Sequence, residues 1–169
     1  MSPERTDTPV SFDERTTLNT FLDYTRATVA AKCEGLSDED ARRAPLPGSP
    51  LMTVAGLVSH VRWVEYWWLR VVFLGEEDRH PATEDDPDRE MRIALDVPLR
   101  QLLDEYEEQS RALRERFADV GLDDTAVRPM RDGRHAPLRW VLLHLVEEIA
   151  RHNGHIDVLR ELADGVTGI

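Results

Sequence analysis

Apolar residues recur every three or four positions in four stretches of this chain, and this spacing puts them on one face of an α-helix. We find no convincing strand-like alternation of apolar and polar residues and no internal repeat. The pattern therefore predicts an all-α protein, built as a four-helix bundle. The stripes are Leu18, Phe21, Leu22, Thr25 and Val29; Val54, Leu57, Val58, Val61, Val64, Trp68, Leu69 and Val72; Leu99, Leu102, Leu103, Tyr106, Leu113, Phe117 and Val120; and Val141, Leu145, Ile149, Ile156 and Leu159.

Capping residues, prolines and glycines define the predicted helix ends. Between the first two helices, Ser37 can cap a short turn of helix before a proline-rich connector. The expected boundaries are Ser11 or Asp13 and Gly35 for the first helix, Thr53 and Gly75 for the second, Asp96 with Pro98 and Gly121 for the third, and Pro137 and Gly165 for the fourth.

Residues 76–95 combine many acidic side chains with two prolines and little periodic apolar content. This composition predicts a solvated acidic crossover loop. Its length permits a crossing of the bundle between the second and third helices, which favours an up-down-down-up order. With 169 residues the whole chain, 1–169, is expected to form a single domain, with residues 1–10 flexible.

Ionisable side chains interrupt the second and fourth stripes. Glu148 and His152 are four positions apart, so they project from one helix face with roughly 5–6 Å between their Cβ atoms. His60 lies between Leu57 and Val64 on the second helix. Because ionisable side chains rarely face a core without a partner, these three are candidate ligands of a buried divalent metal with an open position. Nitrogen and oxygen ligands suit zinc, nickel, iron or manganese, and zinc is our first choice.

Competing interpretations apply to these histidines and to the others. A Glu and His pair at this spacing is most often an exposed helical pair, and only its place in an apolar stripe favours metal binding. His144, four residues before Glu148, offers a competing pair, although it lies about 12 Å along the axis from His152. His155 can support a ligand or replace one. His80 and His135 lie in predicted loops and are interpreted as surface residues.

An aromatic cluster follows His60 within two helical turns, and its members spread around the helix, so they cannot all face the core. Some are expected to line a pocket mouth or a subunit contact, with ordinary packing as the alternative for each. The aromatic cluster consists of Trp63, Tyr66, Trp67 and Trp68.

Cys33 is interpreted as a small buried residue.

The formal net charge is −12, from 33 acidic residues against 21 lysines and arginines, and it disfavours binding to nucleic acid or to an anionic membrane. The single cysteine excludes an internal disulfide and a thiolate-only metal site. The amino-terminal residues lack the apolar core of a signal peptide, and no stretch approaches the ~18 apolar residues of a membrane span. We therefore expect a cytoplasmic protein.

Two segments resemble the DinB/YfiT-like superfamily, in particular its actinobacterial mini-circle protein subgroup. They are LVSHVRWVEYWWL around His60 and HLVEEIARHNGHIDVLRELADG near the carboxyl end. The resemblance covers nearly the whole chain and implies a bundle with a divalent metal held by a histidine of the second helix and an i, i+4 pair of the last. In the branch of the mycothiol-dependent maleylpyruvate isomerase, that pair is Glu and His. This form matches Glu148 and His152 and disfavours His144 as a ligand.

The resemblance also implies chemistry on small thiols such as mycothiol. His60, Glu148 and His152 would hold an ion that favours the thiolate, and His155 or His144 would orient a ligand or shuttle a proton. We therefore expect a metal-dependent S-transferase that acts on a small thiol and an electrophilic small molecule. Maleylpyruvate isomerisation is not expected, because the isomerase carries an additional carboxyl-terminal domain. The alternatives are a metal-dependent hydrolase and a non-catalytic metal-binding stress protein, and a homodimer is a further expectation.

Overall fold

Four long helices and two short ones organise residues 5–168, the part of the chain that the computed structural model describes. The long helix of residues 54–66 continues into a π-helical segment, and the short helix of residues 89–93 continues into a 3-10 turn. The elements are α1 (Glu14–Lys32), α2 (Asp38–Ala41), α3 (Val54–Tyr66) with the π segment (Trp67–Phe73), α4 (Arg89–Ile93) with the 3-10 turn (Ala94–Asp96), α5 (Leu99–Phe117) and α6 (Leu138–Asp164).

The helix ends follow the capping pattern of the sequence. The Asp13 carboxylate accepts a hydrogen bond from the Thr16 backbone N–H at 2.9 Å and so caps α1. Gly75 ends the π segment with φ of 73°, and Gly165 ends α6 with φ of 82°, both in the left-handed region that glycine adopts without strain. The predicted helices of the bundle are therefore confirmed, with boundaries close to those expected.

Contacts between the long helices establish the up-down-down-up order. α1 and α6 run parallel, since Arg139 at the start of α6 pairs with Glu14 at the start of α1 and Asn153 donates to the Thr25 carbonyl at 2.9 Å. α3 and α6 run antiparallel, and their facing residues form the candidate site described below. α3 and α5 run parallel, since Gln109 donates to the Arg62 carbonyl at 2.8 Å and Phe117 packs on Phe73 further along both helices. The segment between them therefore crosses the bundle.

Apolar side chains from all four long helices fill one continuous core. Its fully buried members include branched aliphatic residues of α3 and α6. Examples from the centre of the core are Val29, Leu57, Val58, Val61, Leu138, Leu145, Ile149 and Ile156.

Within residues 5–168, none of the helices combines the length and the apolar character needed to cross a membrane.

The crossover segment is more ordered than the sequence pattern indicates. Its central acidic residues, such as Glu84 and Asp85, are exposed as expected. The prediction of a solvated loop is wrong for residues 89–95, which form α4 and most of the 3-10 turn and bury Glu90 and Met91. The short helix packs on α3 beside Gly56, where an added Cβ would lie 3.3 Å from the Met91 terminal methyl group. Its apolar contacts are too few to give a recognisable period in the sequence.

Residues 5–13 precede α1 without forming a helix. Residues 1–4 of the expected flexible segment 1–10 lie outside the described residues. Arg5 donates a hydrogen bond to the Thr28 hydroxyl at 3.2 Å and therefore contacts the side of α1. The flexibility of the rest stays a prediction.

Candidate metal centre

The three predicted ligands lie together on the facing surfaces of α3 and α6. His60 comes from the middle of α3, and Glu148 and His152 come from successive turns of α6. One potential ligand atom from each of the three residues lies within 4.8 Å of the other two. The antiparallel packing of the two helices thus assembles a cluster that neither helix could form alone.

The donor atoms that face each other are two imidazole nitrogens and one carboxylate oxygen. Glu148 Oε1 lies 3.8 Å from His60 Nε2 and 3.1 Å from His152 Nε2. The two imidazole rings meet edge to face, with centroids 4.8 Å apart. Donors around a tetrahedral divalent ion with bonds of roughly 2.0–2.1 Å lie only a little more than 3 Å apart, so small side-chain adjustments would suffice.

Each donor group has a partner on its other side. His60 Nδ1 lies 3.1 Å from Glu90 Oε1, and His152 Nδ1 lies 3.3 Å from His155 Nδ1. The second oxygen of Glu148 accepts a hydrogen bond from Arg151. These outer contacts orient both imidazoles with Nε2 toward Glu148 Oε1, the arrangement seen where histidine ligands are fixed by a supporting group.

Burial adjusts the protonation of the site. Desolvation, reinforced by the neighbouring His60, His155 and Arg151, lowers the pKa of His152 to about 4. His152 is therefore neutral at pH 7 and carries the lone pair that ligation requires. For Glu90, burial acts to raise the pKa, but the hydrogen bond with His60, a backbone hydrogen bond and the charges of His60 and His80 together outweigh burial, so the pKa lies below its usual value. Glu90 is thus an ionised carboxylate inside the protein.

The chemistry of the cluster fits a divalent ion. Neutral imidazole and carboxylate are the usual ligands of zinc and of other first-row metals, and three protein ligands leave room for a further one. The side chains of His60, Glu148 and His152 are 26, 11 and 12% exposed, so the cluster is partly open to solvent. Zinc, nickel, iron and manganese all remain compatible with this donor set.

The two candidate catalytic histidines lie in different surroundings. His155 is half-buried and contacts His152, one turn further along α6. His144 is also half-buried, but it stacks on Trp140 with ring centroids 5.1 Å apart and meets the edge of Trp68 at 4.9 Å. Burial lowers the pKa of His144, and the charge of Glu147, which acts to raise it, only partly offsets burial. The donor cluster does not include His144, which lies instead in an aromatic wall beside it.

The two loop histidines differ from each other. His135 is exposed, and its Nδ1 lies 2.7 Å from the Ala126 carbonyl oxygen. His80 is half-buried against Trp63, with ring centroids 5.4 Å apart, so its interpretation as a surface residue holds only in part. The Tyr66 hydroxyl contacts the backbone of residues 77 and 79 and holds this part of the crossover segment against the helix.

A hollow of about 340 Å³ opens one helical turn beyond His60, between the π segment and the crossover segment. Trp67, which is 38% exposed, and Trp68 form its aromatic side, as expected for residues at a pocket mouth. The remaining lining comes from Val64, Asp78, His80 and Ala82. A larger cleft of about 580 Å³ lies between α1 and α5, and none of the three donor residues lines it.

Sequence reasoning missed Glu90, which belongs to the site through its contact with His60. Glu90 is 3% exposed, although it lies in a strongly acidic part of the chain. The signal available in the sequence is the short apolar spacing of Met91 and Ala94 immediately after it. That spacing covers a single turn and does not identify a buried helix by itself.

The fold and the donor cluster together define an all-helical bundle with a candidate divalent metal centre, and the comparisons with known proteins place it more narrowly. A family model described as mycothiol-S-transferase matches residues 17–165. The chain therefore belongs to the mycothiol-S-transferase family, in agreement with the DinB-like resemblance of its sequence. No curated protein matches the chain significantly in sequence.

Solved structures support the same fold. The crystal structure of the mycothiol-dependent maleylpyruvate isomerase superposes with a TM-score of 0.61 at 14% sequence identity, covering 86% of this chain and 61% of that one. The structure of a point mutant of that isomerase gives a TM-score of 0.61 at 13% identity, covering 92% and 62%. The chain thus spans about three fifths of the length of these structures. At such identities the match shows the fold alone.

Proposed function

We propose that this protein is a divalent-metal-dependent S-transferase that uses a mycothiol-type thiol. The observation that carries the proposal is the convergence of Glu148 Oε1 with Nε2 of His60 and of His152 on two facing helices. Membership of the mycothiol-S-transferase family supports the choice of thiol, and the partial exposure of the cluster supports access by an external ligand.

In this proposal, His60, Glu148 and His152 hold the ion. A bound divalent ion lowers the pKa of a coordinated thiol and so provides a thiolate at neutral pH. Arg151 holds the outer oxygen of Glu148 and directs the other oxygen toward the two imidazoles. His155 steadies His152 through the contact between their Nδ1 atoms, and its proposed role is to shuttle the thiol proton.

The electrophile is proposed to bind in the aromatic hollow beside the cluster. Val64, which lines the hollow, is one turn from His60, and Trp67 and Trp68 offer apolar faces to a small flat molecule. His144 lies behind Trp68 and contacts its ring edge. The proposed role of His144 is to position the electrophile. The thiolate sulfur forms a bond to the electrophilic carbon, and the leaving group departs with the bonding electron pair.

The test is conjugation of mycothiol to monochlorobimane by protein loaded with zinc. The products are the bimane thioether, chloride and one proton, so the reaction is followed by fluorescence. We expect a rate well above the uncatalysed one, loss of that rate on chelation, and loss in His152→Ala. Equal rates for the wild type and His152→Ala would overturn the proposal.

Two controls separate this function from its alternatives. His135→Ala removes an exposed imidazole outside the cluster, and it should leave the rate unchanged. Hydrolysis of esters or amides without added thiol, lost in His152→Ala, would favour a metal-dependent hydrolase instead. Elemental analysis of protein purified without chelator identifies the metal, which His152→Ala should lose.

A further inference from the structure

The short helix α4 places a buried carboxylate against one of the proposed ligands. Glu90 is 3% exposed, and its Oε1 lies 3.1 Å from His60 Nδ1. The Ser59 hydroxyl, next to His60, donates to the Glu90 backbone carbonyl at 2.7 Å. The backbone and the side chain of Glu90 are therefore both attached to the turn of α3 that carries His60.

The hydrogen bond determines which nitrogen of His60 carries the proton. A carboxylate oxygen accepts, so this hydrogen bond places a proton on Nδ1 of His60, and a neutral ring then has none on Nε2. The lone pair then resides on Nε2, the atom that faces Glu148 Oε1 at 3.8 Å. Without this partner, the neutral ring could place its proton on Nε2 and lose the lone pair that faces the cluster.

The other oxygen of the carboxylate supports a functional role. Glu90 Oε2 is buried and has no hydrogen-bond partner among the described residues. The nearby Arg92 pairs with Asp86 at 3.0 Å, at the exposed side of the segment. A buried carboxylate with an unsatisfied oxygen lowers the stability of the fold unless another interaction compensates for it. A dication held by the adjacent residues would provide one.

We propose that Glu90 is a positioning residue, which fixes the Nδ1–H tautomer and the ring orientation of His60 so that Nε2 is presented to the metal. This inference rests on the proposed metal centre and extends it to the crossover segment. Since Glu90 is part of α4, the docking of residues 89–96 on α3 and the affinity for the metal become coupled. The segment is then a part of the site and not merely a connection.

The test compares Glu90→Gln and Glu90→Ala with Asp86→Asn. Loss of a supporting partner of a metal-bound histidine typically weakens metal affinity by about 10–100-fold. We expect an effect near the lower value for Glu90→Gln and near the upper one for Glu90→Ala, measured as zinc affinity by competition with a chelating dye. Asp86→Asn removes a carboxylate from the same segment without touching His60, and it should leave the affinity unchanged.

A second measurement reads the tautomer directly and does not require metal. Nitrogen-15 NMR of the imidazoles in the metal-free wild type should show the proton of His60 on Nδ1. In Glu90→Ala a population with the proton on Nε2 should appear. A wild-type spectrum with the proton on Nε2 would overturn the inference even if a variant failed to fold.

The outcomes also separate this inference from the proposed function. If the wild type binds zinc and both Glu90 variants bind it equally well with an unchanged His60 tautomer, Glu90 has no positioning role and the metal centre stands. If the wild type binds no divalent metal, both proposals fail.

Discussion

Two clusters of ionisable side chains are buried against α3, and they satisfy their charges in different ways. The first is the proposed metal centre formed by His60, Glu148 and His152, which we call the metal cluster. The second, which we call the ion-pair cluster, lies one turn further along α3 around Glu65, which is 0% exposed. Arg26 of α1 donates to Glu65 at 2.9 Å, and the Ser110 hydroxyl of α5 donates to its other oxygen at 3.3 Å.

The ion-pair cluster is complete without a ligand. Two acids, Asp23 and Glu65, are matched by two guanidinium groups, since Arg26 and Arg114 each lie 2.9 Å from Asp23. In the metal cluster the donor atoms face one another, and the cations beside them are limited to Arg151 among the described contacts. A buried group whose charge is matched internally supports the fold, whereas facing lone pairs are suited to an added cation.

The largest effect is expected when one side of the ion-pair cluster is removed. Glu65→Ala removes the buried partner of the Arg26 guanidinium and leaves it only the partly exposed Asp23, which should lower the free energy of unfolding by up to about 3–5 kcal/mol. Urea unfolding of the metal-free protein, followed by circular dichroism, measures this loss. The double variant Arg26→Met with Glu65→Leu replaces both charges by apolar groups and should recover most of the stability. A loss below about 1 kcal/mol would mean that the pair is not held as described.

At the metal cluster, in contrast, we expect the free energy of unfolding to increase when a metal ion binds. Zinc at 100 times its dissociation constant should raise the free energy of unfolding of the wild type by about 2.7 kcal/mol. His152→Ala removes one donor, so the same zinc concentration should have little effect on it. Thermal unfolding with zinc and with a chelator gives both values. An equal zinc effect in the wild type and in His152→Ala would place the ion elsewhere.

The same sequence signal marks both clusters, and this limits what the sequence can predict. His60 and Glu65 both interrupt the apolar stripe of α3, and Arg26 interrupts that of α1. The spacing of Glu148 and His152 identified the candidate ligands because an i, i+4 pair on one helix can be recognised locally. Whether a buried charge meets an opposite charge or another donor depends on the facing helix, which a single sequence does not show.

The fold was more predictable than the site, for a physical reason. Helix ends depend on a few local residues, such as Asp13 as a cap and Gly165 with positive φ, so they could be predicted closely. The π segment was not predicted, because its wider turns differ from an α-helix by one residue in hydrogen-bond register. The contact of Glu90 with His60 spans 30 residues and depends on tertiary packing.

A smaller effect is expected at the start of α3, away from both clusters. The Thr53 hydroxyl accepts a hydrogen bond from the Gly56 N–H at 2.9 Å, so Thr53→Ala should lower the free energy of unfolding by about 1 kcal/mol. Thr53→Ser keeps the hydroxyl and should lose less. Because His60 lies roughly 10 Å further along the helix, zinc affinity should stay within about twofold of the wild-type value. A large loss of affinity would show that the position of α3 is set by its cap.

The smallest effect is expected at Cys33, the protein's own thiol, which lies buried near the end of α1, away from the metal cluster. Desolvation raises the pKa of this thiol to about 12, against a small opposing effect of Arg160. At pH 8 the thiolate is then about one part in 10⁴ of the folded protein, so Ellman's reagent should label it slowly until urea is added. Cys33→Ala should leave mycothiol conjugation unchanged, because the nucleophile is supplied from outside. Rapid labelling of the folded protein, or loss of turnover in Cys33→Ala, would instead implicate the buried thiol in the reaction. The interior near the end of α1 would then have a chemical role, and function would not be confined to the metal cluster.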